Sequence, residues 1–297
     1  MRDPFAPRRL AALALLAASL AVTGCSRSSD STGGIRPSAY TASSKANYMP
    51  TGSLHAAKPS EAIDHARNFE VHGIDVSKYQ GRIDWNAVAA SNVHFAWIKA
   101  TEGAEVLDTR FRENWEGARA AGVPRGAYHF VYWCRPWRQE MAWFEHNVPR
   151  DPDALPPVLD VEATPKSRSC HRTLYPQQTV AEMRAMLHEM ERHFGKKPII
   201  YTTVDFYEAI LSDGSLGEYP MWVRSTKHRP HVRYGSRKWH FWQYQSDGAV
   251  SGIAGRVDRN VFHGSRADFR RWLASNASIA DRVQSEKLDA TGDDEGG

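Results

Sequence analysis

Asp160 and Glu162 stand two residues apart in the stretch Pro156-Pro157-Val158-Leu159-Asp160-Val161-Glu162. Val158, Leu159 and Val161 favour a β-strand. Side chains alternate between the faces of a strand, so the two acids point the same way. Neighbouring carboxylates repel, and each raises the cost of ionising the other. Chemistry that protonates a leaving group and also steadies a developing positive charge needs such a pair. A strand end that merely faces solvent has the same spacing, so the elements around the pair must decide.

Those elements alternate. Strand patterns occur at Val71–Val76, His94–Ala100, Gly126–Val131, Pro156–Glu162, Pro198–Tyr201, Met221–Val223, Trp239–Tyr244 and Gly255–Asp258. Helical patterns fall between the earlier ones. One starts after Asp84, whose role is to cap it. Thr109–Ala121 carries Phe111, Trp115 and Ala118 at helical spacing and stops at Gly122. Trp137–Asn147 and Pro176–Phe194 follow, the latter with Met183, Met186, Leu187 and Met190 on one core-facing side. Val204–Leu211 reads as a short helix and Ser265–Leu273 as a closing one. Strand alternating with helix implies parallel strands joined by right-handed crossovers. About eight such strands predict an α/β fold, an irregular TIM-like (β/α) barrel with incomplete helices in its last third. Chemistry in such barrels sits at the carboxyl ends of the strands. Asp75, Asp160, Glu162 and Asp258 all fall at predicted strand ends, so four acids converge on one rim.

Of 297 residues, 41% are hydrophobic and 24% charged, enough for one large domain or two small ones. The net charge is +4 and no long Lys/Arg run is present, which argues against a nucleic-acid partner. The amino terminus reads as an export signal over residues 1–24: Arg8 and Arg9, then an apolar run from Leu10 to Val22 too short to span a bilayer. Leu20-Ala21-Val22-Thr23-Gly24-Cys25 resembles a bacterial lipobox, in which Cys25 becomes the lipidated first residue. An ordinary cleaved signal with an incidental cysteine is the alternative. Residues 25–68 read as a Ser/Ala/Pro-rich flexible linker, and residues 277–297 as a disordered acidic tail. Ser26 after the cysteine implies outer-membrane sorting in a Gram-negative host, by the rule of lipoprotein families. Export leaves Cys134 and Cys170, an even count that suggests a disulfide between two loops on the same rim. Two separate thiols are the alternative.

Gly73-Ile74-Asp75-Val76-Ser77, Tyr79-Gln80-Gly81, Ile83-Asp84-Trp85, Lys99-Ala100-Thr101-Glu102-Gly103, Gly126-Ala127-Tyr128-His129-Phe130, Asp160-Val161-Glu162, Trp242-Gln243-Tyr244 and Val257-Asp258-Arg259-Asn260 occur in that order. Together they resemble glycoside hydrolase family 25, the Chalaropsis-type lysozymes, over a domain at 69–276. The resemblance implies an N-acetylmuramidase that cuts the β-1,4 bond after N-acetylmuramic acid in peptidoglycan. It implies Glu162 as general acid/base, Asp160 beside the acetamido group or the developing charge, and Asp75 and Asp258 completing an acidic floor. Tyr128, Tyr201, Trp222, Trp242 and Gln243 are the candidate substrate contacts. No zinc-type, phosphate-loop or dinucleotide motif appears, so neither metal nor cofactor is expected. The expected partners are glycan strands and, through lipid on Cys25, a membrane; a monomer is expected. One departure stands out: Arg224 and Thr226 occupy Trp222-Val223-Arg224-Ser225-Thr226 where the family often has a small residue and an aromatic. A non-catalytic wall-binding lipoprotein and a glycosidase acting on another aminosugar polymer are the rival readings.

Overall fold

The computed structural model describes residues 60–163 and 169–276. The expected export signal, Cys25, most of the expected linker and the acidic tail lie outside the described residues. The strands are β1 His72–Val76, β2 Phe95–Glu102, β3 Val106–Leu107, β4 Arg125–Phe130, β5 Val158–Val161, β6 Ile199–Thr202, β7 Met221–Arg224, β8 Phe241–Gly248 and β9 Val257–Phe262. The order β1-β9-β8-β7-β6-β5-β4-β2 closes when β2 pairs back onto β1, giving a closed eight-stranded barrel. β3 only adds a short hairpin to β2.

The helices are α1 Glu61–Ala66, α2 Trp85–Ala89, α3 Phe111–Ala120, α4 Trp137–Asn147, α5 Pro176–Phe194, α6 Val204–Phe206, α7 Pro230–Tyr234 and α8 Arg266–Ser275. Local chemistry sets their ends. Asp84 Oδ1 accepts from the backbone N–H groups of Asn86 and Ala87 at 3.1 and 3.2 Å, so it caps α2 as its sequence position implies. α5 begins at Pro176 and ends at Gly195, which takes the left-handed conformation (φ 65°) that a side chain resists. Its Met183, Met186, Leu187 and Met190 are fully buried. α6 runs into a π-helical turn, Tyr207–Leu211.

Two cores result. Between barrel and helices lies the larger one, which includes the α5 methionines, Phe144 and Trp133. Inside the barrel lies an aromatic one: Phe95, Trp97, Tyr201, Trp222, Phe241 and Phe262. Trp97 and Trp222 stack there with ring centroids 5.6 Å apart. Gly126 makes room for this, because a Cβ at that position would lie 2.1 Å from the Trp97 ring. Phe269 of α8 packs against Phe95 and Phe262 and stops the end of the barrel away from the strand carboxyl ends. The barrel is thus a packed core with one usable mouth.

Two expectations are corrected, and one element is added. The strands are not all parallel, since β9 runs antiparallel to both β8 and β1. Only residues 249–256, too short for a crossover helix, join it to β8, and a short connection between neighbours reverses the chain. The linker does not extend to residue 68: Ser60 caps α1, whose Ala62 and Ala66 are buried, while its His65 ring meets Trp242. The β2–β3 hairpin was not expected from the pattern, its two-residue partner strand being too short to show periodicity.

Cys134 and Cys170 form the expected disulfide, with Cα atoms 5.5 Å apart. The adjoining Trp133 is buried, stacks on Phe206, and donates its indole N–H to the Glu162 backbone carbonyl at 2.9 Å. The bridge therefore braces the loop that holds Glu162 from behind. The two cysteines are 36 residues apart, and closing such a loop stabilises by about 3–4 kcal/mol in the chain-entropy model. Replacing both cysteines by Ala should lower the melting temperature measurably and weaken activity without abolishing it. An unchanged thermal melt would show that the bridge adds no stability.

Candidate active site

The open mouth holds a cleft of about 330 Å³. Asp75 of β1, Asp160 of β5, Glu162 just past β5 and Asp258 of β9 all line it. The first three stand at or near carboxyl ends of parallel strands. Asp258 stands near the start of β9 and reaches the same rim because that strand runs backwards; it pairs in register with Asp75. Its expected place at a carboxyl strand end is thus corrected, while its place in the cluster is kept.

A hydrogen-bonded frame fixes Asp75. Its Oδ2 accepts from Gln243 Nε2 at 2.9 Å and Asn260 Nδ2 at 2.8 Å. Tyr201 OH donates to Gln243 Oε1 at 2.9 Å, and Trp222 Nε1 donates to Asn260 Oδ1 at 2.8 Å. Gln243 is nearly fully buried with both ends of its amide engaged, so it is a positioning residue. Asn260, fully buried, does the same job, and sequence reading gave it no role. Its only trace was membership of the Val257-Asp258-Arg259-Asn260 motif.

Burial dominates the electrostatics of all four acids. It pushes Asp75 up to about 6, although the bonds from Asn260 and Gln243 favour its ionised form. It pushes Asp258 up to about 8, with the Asp75 carboxylate adding to the effect and Arg224 opposing it. Asp160 is raised well above the ordinary carboxylate range by burial and then by Glu162. One Asp160 oxygen, Oδ1, is buried with no hydrogen-bond partner among the described residues, which further disfavours a charge there. Glu162 is raised by burial, less so because Arg224 and Lys99 face it and Asp160 gives it a hydrogen bond. Both groups of the pair are thus driven towards their protonated forms, Asp160 the more strongly by burial and by its neighbour's charge.

Tyr128, Tyr201, Trp222 and Gln243, expected as substrate contacts, all line the cleft. Burial, with the acids around them, raises both tyrosine hydroxyls well above their usual value and keeps them as neutral groups. Trp242 is corrected. The pleat of β8 turns Phe241 and Gln243 inwards, so Trp242 faces the outer core. It is fully buried near Phe69 and Trp239, and its indole N–H is spent on the Ser225 carbonyl at 2.9 Å. It cannot meet a ligand in the cleft.

Sequence reading also missed Tyr79, Phe130 and Lys99, which line the cleft. Ser77 and Gln80 close a capping box around one 3₁₀ turn, and Gln80 Nε2 donates to the Arg256 carbonyl. That turn holds Tyr79 at the mouth with 81% of its surface exposed, a platform on which a sugar face can stack. Lys99 is held by Glu102 at 2.7 Å and lies over the Phe130 ring.

Such a cluster costs stability in a pH-dependent way. Asp258 keeps its proton up to about pH 8 when folded but loses it near pH 4 when unfolded. Between those values the native state binds the extra proton, so stability falls as pH rises. Asp258→Asn removes that dependence. Its melting temperature should gain on wild type more at pH 8 than at pH 5, whereas an equal difference at both would contradict the shift.

The sequence model of "Glycosyl hydrolases family 25" matches residues 74–253. Lysozyme M1 of Streptomyces globisporus is 35% identical over 239 residues, covering 74% of this chain and 79% of its own. Among solved structures, a family 25 glycosyl hydrolase from Bacillus anthracis superimposes with a TM-score of 0.64 at 35% identity, over 74% of this chain and 99% of that one. A bacterial lysozyme from Streptomyces coelicolor gives 0.63 at 36% identity, over 71% and 98%. The barrel, the acid-lined mouth and the match over most of the described residues agree: this chain belongs to glycosyl hydrolase family 25.

Proposed function

We propose that the protein is a peptidoglycan hydrolase that cleaves the β-1,4 bond between N-acetylmuramic acid and N-acetylglucosamine. The observation that carries this reading is the Asp160–Glu162 pair, side by side at an open cleft, with burial raising both carboxyls above their ordinary range. The names of the relatives, lysozymes among them, supply the substrate class.

In this reading a glycan strand lies across the mouth, with one sugar face on Tyr79. Glu162 gives its proton to the glycosidic oxygen as the bond to the anomeric carbon breaks, and positive charge develops on the ring. The proton Glu162 gives is the one it shares with Asp160: as charge appears on the ring, Asp160, beside the acetamido group, releases it along the hydrogen bond to Glu162, and both carboxylates are left ionised. Water then attacks the anomeric centre, and the Glu162 carboxylate takes the proton it releases. Asp75, its charge supported by Gln243 and Asn260, keeps the field around the pair negative enough to favour a cation at the ring, while Asp258 keeps its proton up to about pH 8.

Glu162→Gln should keep the fold and lower turnover by about 100- to 10,000-fold, the usual cost of losing a general acid. Digesting purified peptidoglycan and identifying the new reducing end checks the reaction itself. N-acetylmuramic acid at that end is expected; N-acetylglucosamine there, or binding without cleavage, would overturn the proposal.

The protein is further proposed to be exported and anchored by lipid on Cys25, because the charged start, apolar run, small residues and cysteine fall in lipobox order. Mass spectrometry of the mature chain should find an acylated Cys25 as its first residue. An unmodified amino terminus elsewhere would refute the anchor.

A further inference from the structure

Two cations line the acidic cleft, Lys99 and Arg224. Lys99 is neutralised by Glu102. The Arg224 guanidinium faces Glu162, Asp75 and Asp258, whose ionised forms it favours, but no salt bridge within 4.0 Å ties it to one of them among the described residues. Its backbone is nonetheless well fixed. Tyr234 OH donates to the Arg224 carbonyl at 2.6 Å, and Arg224 pairs in register with Gln243, the residue that holds Asp75. A partly buried cation on a rigid strand end, lining the cleft and facing its acids without a hydrogen bond that ties it to any one of them, can meet an anion carried by the ligand.

The anion must reach deep. Arg224 shares a 330 Å³ cleft with the reacting acids, so its partner has to be attached to a sugar ring in that cleft. Carboxylates several residues along a peptide have no fixed position there. On a muramic acid residue the ring-borne candidate is the lactyl group at C3. When a stem peptide is attached, that group is an uncharged amide. When the peptide has been removed, it is a free carboxylate. The acids do not repel it as four full charges would, since burial keeps part of the cluster protonated.

We propose that Arg224 binds the free lactyl carboxylate of muramic acid and makes peptide-free glycan strands the preferred substrate. This rests on the muramidase reading above. It also places the enzyme after a reaction of stated class: hydrolysis of the amide between the lactyl group and the stem peptide.

The test uses one peptide-free glycan preparation in two forms, with lactyl carboxylates intact and with them converted to primary amides. Size is the same, and only charge and one acceptor oxygen differ. Wild type should show a kcat/KM about tenfold or more higher on the carboxylate form, carried by KM, as suits one charge-assisted pair. In Arg224→Ala, shown folded by circular dichroism, the ratio should collapse towards one. Arg224→Lys should keep part of it, because charge remains while the two-pronged geometry is lost. Equal rates of wild type on both forms, or a ratio unchanged in Arg224→Ala, would overturn the assignment while leaving the muramidase reading intact. Cleavage of neither form by wild type would overturn both.

Discussion

Withdrawal of carboxyl groups from water at one end of the barrel is the constraint on which the rest of the structure depends. Asp75 and Asp160 are almost wholly buried, and Glu162 and Asp258 largely so. An isolated carboxylate in such a place would simply take up a proton. Here each group is treated differently. Asp75 has two amide donors that support its charge. Asp160 has an orphaned oxygen that opposes it. Glu162 faces two cations. Like groups are thereby made to differ in how readily they ionise, the condition for one to serve as acid while another serves as anion.

Keeping those differences requires rigidity, and the molecule supplies it from below and from the side. Below, the inner aromatic core carries the frame: Trp222 packs on Trp97 and Tyr201, and reaches up to Asn260 through its indole N–H. From the side, Trp133 holds the Glu162 carbonyl, the disulfide begins at the next residue, and Arg172 donates to the Trp133 carbonyl at 2.9 Å while paired with Glu182 of α5. Behind β4, Glu140 of α4 accepts from both His129 and the Tyr132 N–H, tying the end of the strand to the helix. Displacing Glu162 would therefore disturb several linked contacts at once. Sites built this way hold their geometry without substrate.

Much of this was legible in the chain. The alternation of strand and helix gave the barrel, and acids at strand ends gave the rim. Spacing of two put Asp160 and Glu162 on one face. Three things were hidden, each for a physical reason. The reversal of β9 depends on the length of a loop, not on any residue in the strand. The direction of Trp242 depends on the pleat of β8, and a run of aromatic residues on both faces conceals which is inward. The roles of Gln243 and Asn260 depend on strands β8 and β9 meeting β1 far away in sequence, which periodicity does not report. Arg224 was visible as an oddity of type, but only the cleft shows that its charge lies among the acids.

Burial that raises both carboxyls should keep a proton on the Asp160–Glu162 pair at neutral pH. Side-chain carboxyl titration, by carbon-detected magnetic resonance of labelled protein or by infrared difference spectra of wild type against Glu162→Gln and Asp160→Asn, measures it directly. The account predicts a protonated carboxyl at pH 7 that both substitutions perturb. Ordinary titration of both groups, complete below about pH 5, would contradict it.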